Sequence, residues 1–280
     1  MSQIRLMPEL LQEEPISSIQ KYIKDSRYGF QEKYNGKRRV IIRDGGYVYC
    51  LNKESEVRDL PRSLAAKLLS HPLDRFVLDC ELMQDESIKV FDALILGKHL
   101  LGGEEYTTRL DMIRTAFGKF AYIEVASLAI TENDKRLFAQ QLQAENAEGL
   151  VLRRLDASYK QGDSRQHKKI KFWRTVDCVV LSIGTNGKAS ARVGVWHKSK
   201  WIEVCGVSLI GKVQPVVGNV VEVKCLYSTP DLHLVQPGLL GIRDDKSPKQ
   251  CTSDQLTRIL NKNWIGLPFG NCLDKITSSR

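Results

Sequence analysis

Three strand-like runs separated by turn-forming residues lie between residues 29 and 51, and this pattern most limits the fold. The runs cover residues 29–33, 38–43 and 47–51 and are rich in β-branched and aromatic side chains. Asp44-Gly45-Gly46 supplies a tight turn between the last two. Consecutive short strands joined in this way predict an antiparallel sheet. The gap between the first two runs predicts a loop held at the end of a strand, where a rigid scaffold can position a reactive side chain.

That loop begins at Lys33 and leads to Arg38. A lysine amine attacks phosphorus only when it is neutral, and a nearby cation favours the neutral form. A cation also neutralises the phosphate under attack. Gly36 permits a sharp turn, and Asn35 tolerates turn geometry. The loop therefore suits a lysine nucleophile facing a phosphate, and it equally suits an ordinary hairpin with solvated lysine and arginine.

The rest of the chain favours the nucleophile. Residues 33–38 resemble the K-x-D-G-x-R motif of ATP-dependent DNA ligases and the wider covalent nucleotidyltransferase superfamily. Segments similar to the family's later motifs follow in the family's order, at residues 76–82 (with Glu81), 90–94 (with Phe91), 148–153 (starting at Glu148), 169–171 (Lys169 and Lys171) and 241–248 (with Arg243, Asp245 and Lys246). Asp156, Tyr159 and Gly162 continue the fourth motif, and Asp177 opens the strand after the fifth. Six ordered matches over residues 6–251 are far more specific than any one of them.

The resemblance implies a nucleotide site. In the family the motif lysine, here Lys33, forms a phosphoramidate with AMP from ATP. The base would stack on Phe91, and the α-phosphate would contact Lys169 and Lys171, whose alternation on a strand turns both to one face. The nucleotide-binding residues implied are Glu32, Lys33, Asn35, Gly36, Arg38, Lys53, Glu81, Phe91, Glu148, Lys169 and Lys171. Some of these residues also have a structural interpretation: Glu81 and Glu148 as surface ion-pair members, Phe91 as a core aromatic, and the two lysines as a solvated strand face.

The resemblance also implies a metal and a second catalytic segment. Glu148 and Glu81 would serve Mg²⁺ or Mn²⁺, an ion that needs only one or two carboxylates beside phosphate oxygens. Arg243, Asp245 and Lys246 match the R-x-D-K motif, which would clamp pyrophosphate as it leaves. The alternative for that segment is a plain exposed turn.

The sequence departs from the family pattern at three places. The motif aspartate beside the lysine is Asn35, the glycine before the motif glutamate is Cys80, and the usual Ser-Arg pair is Asn52-Lys53. Asn35 removes a negative charge next to the nucleophile. We expect activity that is altered in efficiency rather than absent, because the lysine, both glutamates and R-x-D-K remain.

The predicted fold class is α+β. Residues 1–174 form an adenylation domain of antiparallel sheets with flanking helices, with helix-like patterns from Pro15 and near residues 61–69, 104–117 and 132–145. Residues 175–252 contain short alternating strands, with a hairpin signal at 185–188, and are expected to form a β-barrel of the OB-fold type. Residues 253–280 are expected to form a terminal helix and a tail.

The net charge and the cysteine content limit the kinds of binding partner and cofactor expected for this chain. The net charge of +9 favours a polyanion such as nucleic acid. No apolar run approaches the roughly 18 residues of a membrane span, and residues 1–30 do not show the basic and hydrophobic pattern of a signal peptide, so a cytoplasmic location is expected. Seven dispersed cysteines without a C-x-x-C pair argue against zinc and disulfides. NAD-dependent ligases of this family are longer and carry zinc modules, so ATP is the expected cofactor.

The function predicted is therefore an ATP-dependent DNA ligase that seals nicked double-stranded DNA as a monomer, in repair or replication, with a virus-encoded role open. An RNA ligase or a capping-type nucleotidyltransferase would use the same lysine chemistry. A non-catalytic nucleic-acid-binding relic is a further alternative, and only Asn35 supports it.

Overall fold

The computed structural model describes residues 6–184 and 189–262, which divide into two compact units. The first unit contains residues 6–138 and 150–170, and the second contains residues 139–149, 171–184 and 189–262. The predicted hairpin loop at 185–188 and most of the predicted tail lie outside the described residues. Within the described ranges, no helix has the length and apolar character needed to cross a membrane.

Strands and helices follow the order expected for an α+β chain. The strands are β1 (Glu9–Glu14), β2 (Tyr28–Glu32), β3 (Lys37–Asp44), β4 (Tyr47–Leu51), β5 (Val57–Arg58), β6 (Arg75–Leu82), β7 (Ile88–Leu96), β8 (His99–Leu100), β9 (Ile123–Val125), β10 (Gly149–Arg154), β11 (Gly162–Lys171), β12 (Arg174–Ile183), β13 (Ser190–His197), β14 (Lys200–Ser208), β15 (Val220–Cys225) and β16 (Gly238–Ile242). The α-helices are α1 (Ile19–Lys24), α2 (Arg62–Ser70), α3 (Tyr106–Phe117), α4 (Glu132–Ala144) and α5 (Asp254–Arg258).

The largest sheet belongs to the first unit. Its strand order is β5-β4-β3-β6-β7-β8, and β9 pairs with β7. Alternating residues of β6 separate into two environments. Phe76, Leu78 and Cys80 pack into an apolar core with Ile113 and Phe117 of α3. Because side chains alternate along a strand, Val77, Asp79 and the predicted site residue Glu81 face the opposite side.

A second sheet holds the strand that leads to Lys33. Its order is β1-β11-β10-β2, and β10 runs antiparallel to β2 with Leu150 opposite Glu32. The prediction of antiparallel sheets does not extend to two pairings, because β1 runs parallel to β11 and β7 runs parallel to β9. The latter pair is joined through α3, and parallel strands require a crossover connection of this kind.

The second unit is built on a five-stranded antiparallel sheet of order β14-β13-β12-β15-β16. Its core is lined by valines and by the buried free thiols Cys178, Cys205 and Cys225. Among the strands that the structure describes, β14 and β16 do not pair, so the barrel is not closed by hydrogen bonds and its closure stays a prediction. The predicted domain boundary at 174/175 also stays a prediction. Helix α5 lies within the segment predicted as a terminal helix.

Candidate active site around Lys33

A cavity of about 280 Å³ lies in the first unit at the end of β2. Seven predicted site residues line it, namely Glu32, Lys33, Arg38, Lys53, Glu81, Phe91 and Lys169. The rest of its lining comprises Leu10, Leu11, Gln31, Tyr34, Val151 and Arg153. Five cationic side chains therefore face two carboxylates around the cavity. An excess of positive charge beside an aromatic ring fits a nucleotide, although the volume is at the low end of known ligand pockets.

The loop after Lys33 is held tightly against β6. The Gly36 amide donates a hydrogen bond to Oε1 of Glu81 at 3.2 Å. A Cβ atom at residue 36 would lie 2.5 Å from the Leu82 carbonyl oxygen and 2.8 Å from Cγ of Glu81. Gly36 does not adopt a left-handed φ. Glycine is required here by the close approach of β6, rather than by the sharp turn expected from the sequence.

Arg38 is engaged by protein acceptors. Its Nε and Nη2 donate to the two carboxylate oxygens of Asp79 at 2.9 and 2.6 Å, and its Nη1 donates to the Glu9 carbonyl at 2.6 Å. Tyr159 donates its hydroxyl to the same carboxylate at 2.8 Å. Two of the five guanidinium N–H groups remain beyond these three bonds. Arg38 thus joins β3 to β6 and β1, and a phosphate could use only its remaining donors.

Phe91 is fixed from behind by buried polar contacts. The Tyr106 hydroxyl donates to the Phe91 carbonyl at 2.9 Å. The next residue, Asp92, forms a two-point ion pair with Arg109 at 2.7 and 2.8 Å, and both side chains are buried. The Phe91 ring itself lines the cavity. A rigidly held ring at a cavity wall can stack on a base, and this role remains a prediction.

No role was assigned from the sequence to Gln31, or to Arg153 at the end of the family-like segment 148–153. Arg153 Nε donates to Oε1 of Gln31 at 2.9 Å, and the Arg153 guanidinium carbon lies 4.9 Å from the centre of the Phe91 ring. Both residues are buried and line the cavity. Strand alternation could have found them, because residue 31 shares a face with Lys33 and residue 153 shares a face with Val151.

Glu9 and His167 form a buried polar pair in the same unit. His167 Nδ1 accepts from the Arg154 amide at 3.0 Å, while its Nε2 lies 3.6 Å from Oε2 of Glu9. Burial, followed by the charges of Arg153, Arg109 and Arg38, lowers the pKa of His167 well below 6.5. Burial raises the pKa of Glu9. The histidine is therefore neutral near pH 7.

The two predicted phosphate lysines of β11 have different surroundings. Lys169 lines the cavity, and its amine lies 3.9 Å from Oε2 of Glu13. The Lys171 amine donates to Oε1 of Gln236 at 2.9 Å and lies 5.0 Å from the centre of the Trp173 ring. Lys171 is not part of the cavity lining, and its role at a phosphate stays a prediction.

Glu148 and the R-x-D-K segment belong to the second unit. Glu148 is buried, and its carbonyl accepts from the Phe172 amide at 2.9 Å. Arg243 donates two bonds to Asp245 at 2.8 Å each, and these bonds lower the pKa of Asp245 to about 2. The amine of Lys246 donates to Asp177, which also lies 3.4 Å from Arg243 Nη1. One carboxylate on β12 therefore holds both cations of the motif.

The protein side chains alone supply too few ligands to hold a metal ion, and a bound nucleotide would have to supply the remaining ligands through its phosphates. No group of three or more His, Cys, Asp or Glu side chains suited to a metal occurs within residues 6–184 and 189–262. Mg²⁺ retains several waters and takes one or two carboxylates together with substrate phosphates. The residues present fit an ion of that kind, which arrives with a nucleotide, and do not form an all-protein cage.

Comparison with known structures shows the same fold in DNA ligases. Neither the protein-family models nor the curated proteins include a match to this chain. A mycobacterial DNA ligase D complexed with ATP aligns with a TM-score of 0.54 at 20% identity, covering 88% of this chain and 98% of that one. A Lig E DNA ligase, described as binding DNA with a minimal scaffold, aligns at 0.60 and 16% identity, covering 85% and 99%. Pmar-Lig aligns at 0.63 and 14% identity, covering 85% and 68%.

These likenesses extend over most of the chain. The protein therefore has the fold of these DNA ligase structures, and the resemblance predicted from the motifs is confirmed at the level of the fold.

Proposed function

We propose that this protein is an ATP-dependent DNA ligase that seals nicks in double-stranded DNA through an adenylated Lys33. The observation that carries the proposal is the position of Lys33 in a cavity with a fixed aromatic ring and five cations against two carboxylates. The fold shared with DNA ligases supports the same assignment. A basic chain of net charge +9 suits a DNA substrate.

The proposed chemistry has three steps. The Lys33 amine attacks the α-phosphorus of ATP, loses its proton, and the bond from that phosphorus to pyrophosphate breaks. The 5′-phosphate at the nick then attacks the same phosphorus and takes the AMP, which frees the lysine. Finally the 3′-hydroxyl attacks the adenylated 5′-phosphate and AMP leaves, so that the strand is sealed.

The cavity residues would serve the first step by placement and charge. Lys169 and the free donors of Arg38 would meet negative phosphate oxygens, and Phe91 would stack on the base. Glu32, Lys53 and the loop residues Asn35 and Gly36 would complete the nucleotide contacts. Glu81 and Glu148 would hold Mg²⁺ or Mn²⁺, which supplies neutralising charge to the phosphates when bound.

The second unit would serve the pyrophosphate and the DNA. In this proposal its sheet is the framework of an OB-fold, and Arg243 and Lys246 would exchange the carboxylate of Asp177 for the departing pyrophosphate. Lys171 would contact the α-phosphate. We further propose that the protein acts as a monomer, that it has a role in repair or replication, and that it is located inside the cell.

Formation of the covalent adduct tests the central claim. The wild-type protein should acquire one AMP when incubated with ATP and Mg²⁺, detected as a mass increase and mapped to Lys33 by peptide mass spectrometry. Lys33→Ala should abolish the adduct while circular dichroism remains unchanged. The matched control is Lys37→Ala, because Lys37 is an exposed lysine at the other end of the same loop. It should retain the adduct.

Assays with different nucleotides and nicked strands distinguish the DNA ligase from a capping-type enzyme and an RNA ligase. Labelling from GTP rather than ATP would indicate a capping-type enzyme. Sealing of nicked RNA in preference to nicked DNA would indicate an RNA ligase. A full-strength adduct on another residue, or no adduct with either nucleotide, would overturn the assignment of Lys33.

A further inference from the structure

Two exposed tryptophans lie side by side on the hairpin formed by β13 and β14. Trp196 and Trp201 are directly opposite in the strand register, with ring centres 5.3 Å apart and ring planes at 72°. About two fifths of each residue is exposed. Their strand neighbours Val195 and Ile202 pack in the core of the second unit, so the two indoles point away from that core. We call residues 190–208 the tryptophan hairpin.

The end of the tryptophan hairpin is held in place. The Trp196 amide donates to the Cys251 carbonyl at 2.7 Å, and the Ser253 amide donates back to the Trp196 carbonyl at 3.0 Å. His197 Nδ1 lies 2.9 Å from the Ser253 hydroxyl oxygen. These contacts fix the Trp196 backbone, so little ordering would be needed when a partner binds.

The connecting turn displays lysines. Lys198 and Ser199 both have positive φ, 44° and 66°, which is the geometry of a type I′ two-residue turn. Glycine and asparagine adopt this turn most easily, yet here a lysine occupies its first position. Lys200 follows at the start of β14, and both lysines are exposed. The hairpin thus carries two exposed cations in the segment that connects Trp196 to Trp201.

The charge balance favours a polyanionic partner. The tryptophan hairpin contains Arg192, Lys198 and Lys200 against one carboxylate, Glu203. Arg192 lies 3.0 Å from Glu203 and neutralises it. The same unit also exposes aliphatic side chains, which lack the aromatic rings that stack on nucleic acid and therefore serve as a comparison, at Ile210, Val213, Val216 and Val217. Aromatic surface combined with unpaired positive charge is typical of nucleic-acid contacts.

We propose that the tryptophan hairpin is a DNA-contacting surface of the second unit. Lys198 and Lys200 bind backbone phosphates, and the paired indoles of Trp196 and Trp201 pack against the deoxyribose and base edges exposed in the adjacent groove. This inference rests on the proposed ligase function and assigns part of its substrate binding to residues outside the nucleotide cavity.

Direct binding to DNA tests the proposal. The affinity of Trp196→Leu/Trp201→Leu for a fluorescent nicked duplex should fall on the order of tenfold in anisotropy titrations. Lys198→Gln/Lys200→Gln should also weaken binding and should reduce the slope of log affinity against log salt by about two, because each lysine releases about one counterion. The control, Ile210→Ala, removes exposed apolar surface from the same unit and should bind like the wild type.

Self-adenylation is measured in parallel and should be unchanged in all of these variants, which also shows that they are folded. Normal DNA affinity in both double variants, together with normal self-adenylation, would overturn this inference and leave the ligase proposal standing. The wild type could instead form dimers that the tryptophan variant converts to monomers, with unchanged DNA affinity. That result would assign the surface to self-association and would also overturn this inference. Absence of both the adduct and DNA binding in the wild type would instead overturn the proposed function.

Discussion

Arg38 and the buried Asp79 form a two-point ion pair that ties the loop after Lys33 to the centre of the large sheet. The two residues are on adjacent strands, β3 and β6, with nitrogen-to-oxygen distances of 2.9 and 2.6 Å. Asp79 is fully buried, and Tyr159 donates a further hydrogen bond to it. Arg38, which lines the same cavity as Lys33, therefore has a structural role in the first unit. Its charge is already compensated by Asp79 before any phosphate binds.

Loss of this carboxylate should destabilise the protein strongly. Asp79→Asn keeps the side-chain shape but leaves a partly buried guanidinium without its counter-charge, and breaking a buried pair in this way commonly costs about 3 kcal/mol or more. The free energy of unfolding from urea titrations followed by circular dichroism measures the loss. The control is Asp111→Asn, which removes an exposed pair with Arg114 and should cost less than about 1 kcal/mol. Equal small effects in both variants would contradict the role given to Asp79.

Gly36→Ala should displace the loop that carries Lys33. The added methyl group would lie 2.5 Å from the Leu82 carbonyl, and a backbone atom of a central strand cannot move aside as a side chain can. We expect the rate of AMP adduct formation to fall at least about tenfold, since small misplacements of a nucleophile are costly. Gly46→Ala is the control, because nothing lies within 4 Å of its added Cβ. An unchanged adduct rate in Gly36→Ala would show that the loop adjusts freely.

Local sequence pattern predicted the parts of the site that depend on neighbouring residues. Strand-forming and turn-forming residues placed Lys33 in a loop after β2, and the order of the family-like segments selected Glu81 and Phe91. The partners of these residues are distant in sequence. Asp79 lies 41 residues from Arg38, and no local pattern selects it. The parallel pairing of β1 with β11 joins segments about 150 residues apart, so it depends on tertiary packing.

His167 should make the stability of the protein fall in mild acid. Its folded pKa is well below 6.5, so below that pH the unfolded chain gains a proton that the folded chain does not. The free energy of unfolding should therefore decrease by up to about 1.4 kcal/mol per pH unit as the pH falls from 6.5 towards the folded pKa. Glu9 acts with the opposite sign, because its pKa is raised and its protonation in acid adds stability.

The contribution of His167 is isolated by comparing variants. His167→Gln can still accept the Arg154 amide but does not titrate, so its stability should change less between pH 7 and 5 than that of the wild type. His99→Gln changes an exposed histidine and should follow the wild-type profile. Parallel profiles for wild type and His167→Gln would show that the buried histidine is not responsible.

Arg243 and Lys246 should affect one chemical step and spare another. Both are held by Asp177 on β12, which keeps two cations in one orientation on the second unit. In the proposed reaction only self-adenylation releases pyrophosphate, so only that step would require the proposed clamp. Arg243→Ala or Lys246→Ala should slow self-adenylation on the order of a hundredfold or more, as loss of one preorganised charge contact in phosphoryl transfer commonly does.

The same variants should still seal a nick supplied with AMP already joined to its 5′-phosphate, because in the proposed reaction that step would use the first-unit cavity, a metal ion and the 3′-hydroxyl. Lys249→Ala is the control, since Lys249 is an exposed lysine three residues beyond Lys246 and should be normal in both assays. Quench-flow or gel assays of the two steps give the separate rates. Equal losses in both steps would mean that the segment binds DNA or stabilises the five-stranded sheet. Either of those roles would affect self-adenylation and nick sealing alike, whereas a pyrophosphate clamp would affect only self-adenylation.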